Sequence, residues 1–253
     1  MIVLPSFLQT SYPLFKQFLL LEKNGAIIQS QFVLDKTLMK GTSVYHNLLL
    51  QIIAKRGNIF RAPMYSSTLN SIGSETCLIG FDSAFKDGRT VISGCGTMNS
   101  SFTLTSSHSI VLDKSEHKYQ HMISIATKCI ERYCSRNNKV PEYVVILMKT
   151  VPTDQLNLIQ ESFASNLIQL LEKKYKSKFS LTVVMANLRS SESFFTESGN
   201  SVSNVPPGTL VSSNIVSPNY DFFITSKGSN MSSIVSNHYR VIFRSESSKL
   251  EEE

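Results

Sequence analysis

No stretch of this sequence stays apolar for the roughly 18 to 20 residues that a helical membrane span requires. The run Phe18 to Leu21 is cut off by Glu22 and Lys23, so no transmembrane helix is expected. The apolar start, MIVLPSFL, lacks a basic region before it and a small-residue cleavage site after it. It therefore reads as a buried strand and not as a signal peptide, which places the protein inside the cell, in cytoplasm or nucleus. Cysteine is scarce. Cys77, Cys95, Cys129 and Cys134 have no paired short spacing, and the five histidines do not complete a zinc pattern with them. Cys129 follows Met122, Ile125 and Ala126 at helical spacing and reads as a small core residue. Internal repeats are also lacking.

What is present is an ordinary globular composition. With 253 residues, 42% of them hydrophobic, the chain can bury one large core or two small ones. Its net charge of +6 is unevenly spread. Up to Arg61, seven basic residues (Lys16, Lys23, Lys36, Lys40, Lys55, Arg56 and Arg61) face only Glu22 and Asp35, a net of +5. Such a first quarter fits an anionic partner, most commonly a nucleic-acid backbone. Charge alone equally allows lysines that merely solvate helix faces.

Hydrophobic period divides the chain in two. Strands are expected at Ile2 to Leu4 and Ile27 to Leu34, and helices at Leu14 to Lys23 and Val44 to Arg56, the alternation of an open α/β sheet. After the polar stretch Tyr65 to Glu75, a second unit opens with a strand from Cys77 to Phe81 that ends at Asp82. Asp87-Gly88 predicts a hairpin into Thr90 to Met98. Short strands follow at Phe102 to Thr105 and Ser109 to Leu112, then a long helix from about Ser115 to Arg136 with Pro141 beyond it. Tyr143 to Met148 and Phe179 to Met185 read as strands. Between them, Thr153 caps a helix with the apolar stripe Leu156, Ile159, Phe163, Leu167 and Leu170. The Ser-rich segment Ser190 to Asn204 reads as a mobile loop.

The segment Asn204 to Phe243 carries the most specific pattern. Pro207-Gly208, Tyr220-Asp221-Phe222, Ser226 and His238-Tyr239 stand in a fixed order, and the stretch Ser226 to Val241 needs no gap. Any one piece alone would be a β-hairpin with a buried tyrosine. The ordered set resembles the Piwi domain of Argonaute proteins, in the Piwi branch, and PEYVVILMKTVPTDQLNLI followed by FSLTVVMA extends the likeness over about residues 1 to 243. The resemblance implies an α/β fold: a partial Rossmann-like MID unit at 1–75, then a ribonuclease H-like Piwi domain at 76–253 that lacks its C-terminal segment.

Argonaute MID domains hold the 5′ phosphate of a guide RNA with a Tyr and a Lys four residues later, a Gln on the next strand and a Lys at the end of the next helix. The resemblance assigns these roles to Tyr12, Lys16, Gln31 and Lys55, with Gln51 as the residue that Piwi-branch members place before that lysine. The residue types suit the chemistry. A terminal phosphate carries nearly two negative charges and needs ammonium groups and amide donors to compete with water. Tyr12 supplies a ring for the first base, and Lys16 lies one helical turn along the same face. The spacing from Lys16 to Gln31 implies an enlarged loop around Asn24-Gly25, and Pro13 is tolerated in a first helical turn.

The resemblance also implies where a cleaving member would hold two magnesium ions about 4 Å apart. Asp82 corresponds to the first carboxylate, but the position of the second is Lys149, an ammonium that repels a dication. Glu116 is the candidate glutamate. The last ligand is expected in a C-terminal segment that the chain, ending SSKLEEE, does not contain. His117 and His238 are conceivable substitutes, although a His-Tyr pair on the closing strand is structural in the family. Val235 and Ser236 stand where an Arg-Pro pair is usual, and Arg189 alone remains of a basic run, so fewer guide-backbone contacts are expected.

The expectation is therefore a Piwi-like protein that binds small guide RNA, and through it a complementary target RNA, without cutting. No catalytic residue, metal or cofactor is assigned. Silencing proteins are further expected partners, and no membrane is. The competing expectation is a protein-interaction module derived from a Piwi domain that no longer binds RNA.

Overall fold

In the computed structural model the described residues are 2–20, 30–55, 75–99, 102–113, 118–188, 190–199, 201–217, 220–226 and 233–245. The chain separates into two units, Met1–Pro63 and Met64–Glu253. Glu116, His117 and Arg189, and the side chain of Lys55, lie outside what is described.

In the first unit, β1 (Ile2–Leu4) runs parallel to β2 (Phe32–Leu34), in register from Ile2 with Phe32 to Leu4 with Leu34. Parallel neighbours need a crossover. The connection carries a 3-10 turn, Ser6–Ser11, and helix α1 (Tyr12–Leu20), followed after β2 by α2 (Asp35–Leu38) and α3 (Thr42–Lys55). Leu4, Val33 and Leu48 are the buried apolar side chains among the described residues of this unit. Helix α1 starts two residues before the predicted start. The expected strand from Ile27 is confined, within the described residues, to Phe32–Leu34, because Ser30 and Gln31 turn their polar groups to local partners.

The second unit is built on an eight-stranded sheet with the order β10-β11-β12-β7-β6-β3-β4-β5. Its strands are β3 (Thr76–Lys86), β4 (Arg89–Thr97), β5 (Thr105–Leu112), β6 (Tyr143–Lys149), β7 (Ser180–Asn187), β10 (Leu210–Val211), β11 (Asp221–Ile224) and β12 (Asn237–Arg244). β3, β4 and β5 form an antiparallel meander, and β3, β6 and β7 are parallel. Asp87 and Gly88 make the predicted turn with φ of 51° and 78°, the left-handed pair that a tight hairpin requires. Helix α4 (Lys118–Asn137) lies against β4 so closely that a Cβ added to Gly96 would stand 2.5 Å from Cys129 Cβ. The expected core role of Cys129 follows directly, and burial pushes its thiol up to about 11.

Several expectations are corrected. β3 runs five residues past Phe81, because pairing with β4 continues to the Asp87-Gly88 turn, so Asp82 stands inside a strand and not after one. The two short strands after Met98 are one, β5, and Phe102 turns with φ of 55° instead of extending. Ser190 to Asn204 contains a hairpin, β8 (Phe195–Ser198) with β9 (Ser201–Asn204), held by cross-strand Ser and Thr pairing despite its polar composition. Tyr220 is exposed, so the hairpin tyrosine is not buried.

The helical segment after β6 begins with a 3-10 turn, Thr153–Gln155, in which Thr153 makes no side-chain cap. It continues through α5 (Leu156–Leu158), π-helical turns at Ile159–Ser165 and α6 (Asn166–Tyr175). Wide π turns delay the helical phase, so Ile159, Phe163, Leu167 and Leu171 are buried while Leu170, predicted on the stripe, is exposed. Across from these turns β12 carries a bulge at Ile242, between Val241 and Phe243. Gln160 of the π turns donates through Nε2 to the Ile242 carbonyl at 2.7 Å.

Candidate functional site

Three of the five predicted phosphate-site residues meet. Tyr12 opens α1, Gln31 precedes β2 and Gln51 stands on α3, and all three line a pocket of about 460 Å³ walled on its apolar side by Leu4, Val33 and Leu48. Gln31 Nε2 donates to Gln51 Oε1 at 2.9 Å, which fixes both amides and leaves Oε1 of Gln31 and Nε2 of Gln51 as the ends turned to other partners. The Tyr12 ring stands edge-on to Phe32, with centroids 5.3 Å apart. Lys16, one turn along α1 from Tyr12, is beside this pocket and not on its wall. Its ammonium donates to the carbonyl and hydroxyl of Ser30 at 3.3 and 3.2 Å and lies 5.7 Å over the Phe32 ring. Lys55 follows Gln51 by one helical turn on α3. Gln9 and Thr37, which the sequence did not mark, also line the pocket.

The ribonuclease H-type position is organised by strand register. β3 and β6 pair from Thr76 with Tyr143 to Gly80 with Leu147. Two residues further along each strand, on the same face, come Asp82 and Lys149. Their side chains form an ion pair, Nζ to Oδ1 at 2.5 Å. The hydrogen bond from Lys149 holds the Asp82 carboxyl below the usual carboxylate range, and the Ser83 amide adds to it. The pair is not buried, however: the two side chains are 58% and 66% exposed, so burial does not enforce it.

Asp82 and Lys149 border a cleft of about 250 Å³ together with Lys118, Tyr119, Thr150 and Gln155. Lys118 begins α4, and its ammonium donates to Gln155 Oε1 at 3.3 Å while lying 5.0 Å over the Tyr119 ring. Desolvation pushes its pKa below the ordinary lysine value. A pair of dications does not fit these side chains: one carboxylate is already matched by an ammonium, and a second ammonium lines the same space. Among the described residues no group of three or more His, Cys, Asp or Glu is placed to hold a metal ion. Lys118 and Gln155 carried no signal in the sequence, since both fall on the polar side of amphipathic helical segments.

His238 is engaged elsewhere. In the β11–β12 ladder Asp221 pairs with Arg240, Phe222 with Tyr239 and Phe223 with His238. Asp221 receives Arg240 Nε at 2.8 Å, Arg240 Nη2 at 3.3 Å and lies 3.3 Å from His238 Nε2, while Phe222 stacks on Tyr239 and Phe223 on His238. The residues of the Tyr-Asp-Phe and His-Tyr motifs are thus cross-strand partners, which accounts for their joint presence.

Comparison with known proteins agrees with this geometry. The family model for the Piwi domain matches residues 1–252. "Piwi-like protein 1" of Gallus gallus is 24% identical over 227 residues, covering 85% of this chain and 25% of that protein. The crystal structure of Kluyveromyces polysporus Argonaute with a guide RNA aligns with 97% of this chain and 30% of its own, at a TM-score of 0.76 and 19% identity. Drosophila Piwi aligns with 87% of this chain and 30% of its own, at a TM-score of 0.63 and 19% identity. The chain thus spans about a quarter to a third of these relatives. Its large mixed sheet is the ribonuclease H-like fold of the Argonaute C-terminal lobe, and the chain belongs to the Argonaute/Piwi family.

Proposed function

We propose that this chain binds a small guide RNA by its 5′ phosphate in RNA-guided silencing, and that it pairs the guide with a target without cutting it. The observation that carries the binding reading is the convergence of Tyr12, Gln31 and Gln51 on one pocket, with Lys16 beside it. Gln31 and Gln51 present amide ends, Tyr12 a hydroxyl and a ring face, and Lys16 and Lys55 the charge that a phosphate dianion requires. The Lys16 ammonium makes two hydrogen bonds to Ser30, both to neutral oxygens, and an incoming phosphate oxygen competes favourably with such acceptors. The non-cutting reading rests on Lys149, whose ammonium occupies the carboxylate of Asp82.

A 5′-phosphorylated short RNA should bind more tightly than its 5′-hydroxyl twin, and Lys55→Ala or Lys16→Ala should remove most of that difference, about 1.5 to 3 kcal/mol for each charge-assisted contact. Equal affinity for the two RNAs in a titration would reject the site and favour a protein-interaction module. Magnesium-dependent cleavage of a matched target at one phosphodiester would reject the non-cutting reading.

A further inference from the structure

We propose that the cleft between β3, β6 and α4 is an anion site: Lys118 and Lys149 together grip one phosphodiester of a bound RNA strand, with no metal ion, and Asp82 competes with that phosphate for Lys149. The inference rests on the reading of this chain as an RNA-binding protein but not on the 5′-phosphate pocket.

Four observations lead to it. The cleft is lined by two ammonium groups and one carboxylate, so its balance is positive. Lys118 has no carboxylate partner among the described residues; its hydrogen bond goes to the neutral Gln155 Oε1, and Tyr119 donates its hydroxyl to that same oxygen at 3.2 Å. An ammonium shared with a neutral acceptor keeps donor capacity for an anion, and the lowered pKa of Lys118 reports the unfavourable desolvation that an anion would relieve. The Asp82–Lys149 pair is exposed on both sides, and such pairs contribute only about 0 to 1 kcal/mol, so exchanging the carboxylate for a phosphate oxygen meets little resistance. Finally, Thr150 and Ser83 bring a hydroxyl each to the rim, so an anion seated between the lysines has neutral donors near its other oxygens.

Asp82 separates this proposal from a metal site because the two assign it opposite signs. If the cleft takes a cation, Asp82→Asn weakens it; if the cleft takes a phosphodiester, Asp82→Asn frees Lys149 and tightens it. The test uses the whole chain and a single-stranded RNA with a 5′-hydroxyl, followed by fluorescence anisotropy across a salt series in EDTA and in magnesium. Asp82→Asn should raise affinity several-fold. The double variant Lys118→Gln, Lys149→Gln should lower it about tenfold and reduce the salt slope by about one to two units. Magnesium should change neither result. Because the probe has no terminal phosphate, failure of the 5′-phosphate site leaves these outcomes untouched, and the reverse also holds. The lysines are on the surface, so unchanged melting temperatures would certify folding of the variants.

Weaker or unchanged binding by Asp82→Asn would overturn the proposal, as would a magnesium-dependent gain in affinity that Asp82→Asn abolishes. An arm with inorganic phosphate distinguishes the source: stabilisation by free phosphate that requires both lysines, with RNA affinity indifferent to them, would overturn the phosphodiester assignment.

Discussion

Among the described residues of the second unit, one continuous cluster of buried side chains runs from Cys77 to Ile242, with Ile125, Ile146, Phe163 and Phe179 fully enclosed. In the first unit only Leu4, Val33 and Leu48 are buried, and its pocket is bounded by those same three side chains. At about 25 cal/mol per Å² of apolar area, the first cluster stabilises its unit by far more than the second. The comparison teaches where a ligand matters. A pocket resting on three apolar side chains has little else to hold its walls, so binding there also contributes to folding, whereas the cleft at Asp82 and Lys149 stands on a sheet that is stable without it.

The largest effect should come from Phe163→Ala. Phe163 is fully buried and meets Phe81 edge-on, with centroids 6.0 Å apart. Truncation should cost about 3 to 5 kcal/mol in denaturant titrations; a loss under about 1 kcal/mol would show that the π-helical segment does not anchor the core. Leu48→Ala is the counterpart in the first unit and should cost about 2 to 3 kcal/mol. Hydrogen exchange should then accelerate across residues 2–55 and stay unchanged across 75–245. Uniform acceleration would break the division between the units.

Arg240→Ala should cost about 1 to 2 kcal/mol near neutral pH, since it leaves the Asp221 carboxylate, only 10% exposed, without its main partner. The Arg240 hydrogen bond lowers the folded pKa of Asp221. The pair therefore stabilises above the unfolded value of about 3.9, and that contribution disappears as pH falls through the lower folded value. The gap between wild type and variant should close in acid; a gap that persists at pH 2 would assign the effect to lost packing of the Arg240 stem. The smallest effect should be that of Lys149→Met, under about 1 kcal/mol in the same titration, because an exposed ion pair contributes little. A larger loss would mean that this cleft, like the first unit's pocket, is built on its polar residues.

Much of the sheet was legible from the sequence. Period-2 alternation and β-branched runs mark β4, β6 and β7, and Asp87-Gly88 marks the turn between β3 and β4. What escaped were features set by partners and not by local composition. β3 extends because β4 is there to pair with it, and the Ser-rich β8–β9 hairpin closes on hydroxyl contacts that no hydrophobic pattern announces. In the candidate site, Tyr12, Gln31 and Gln51 were marked by family order and do converge, and Asp82 and Lys149 meet as their shared register requires. Lys118 was invisible because a polar residue opening an amphipathic helix looks the same whether it faces solvent or a cleft.

The meeting of Gln160 with the Ile242 carbonyl has a consequence for how this chain can change in length. The π-helical turns hold one residue more than an α-helix would spend on them, and the β12 bulge holds one more than its partner strand. Deleting a residue from the turns would rotate all that follows by about 100° and carry Leu167 and Leu171 off the core, besides withdrawing the amide that satisfies the bulge. Deleting Ile242 would repair the strand but shift every later side chain of β12 to the opposite face. Each surplus residue is tolerable in the presence of the other, so insertions and deletions in these two segments, some eighty positions apart in sequence, should be inherited together or not at all.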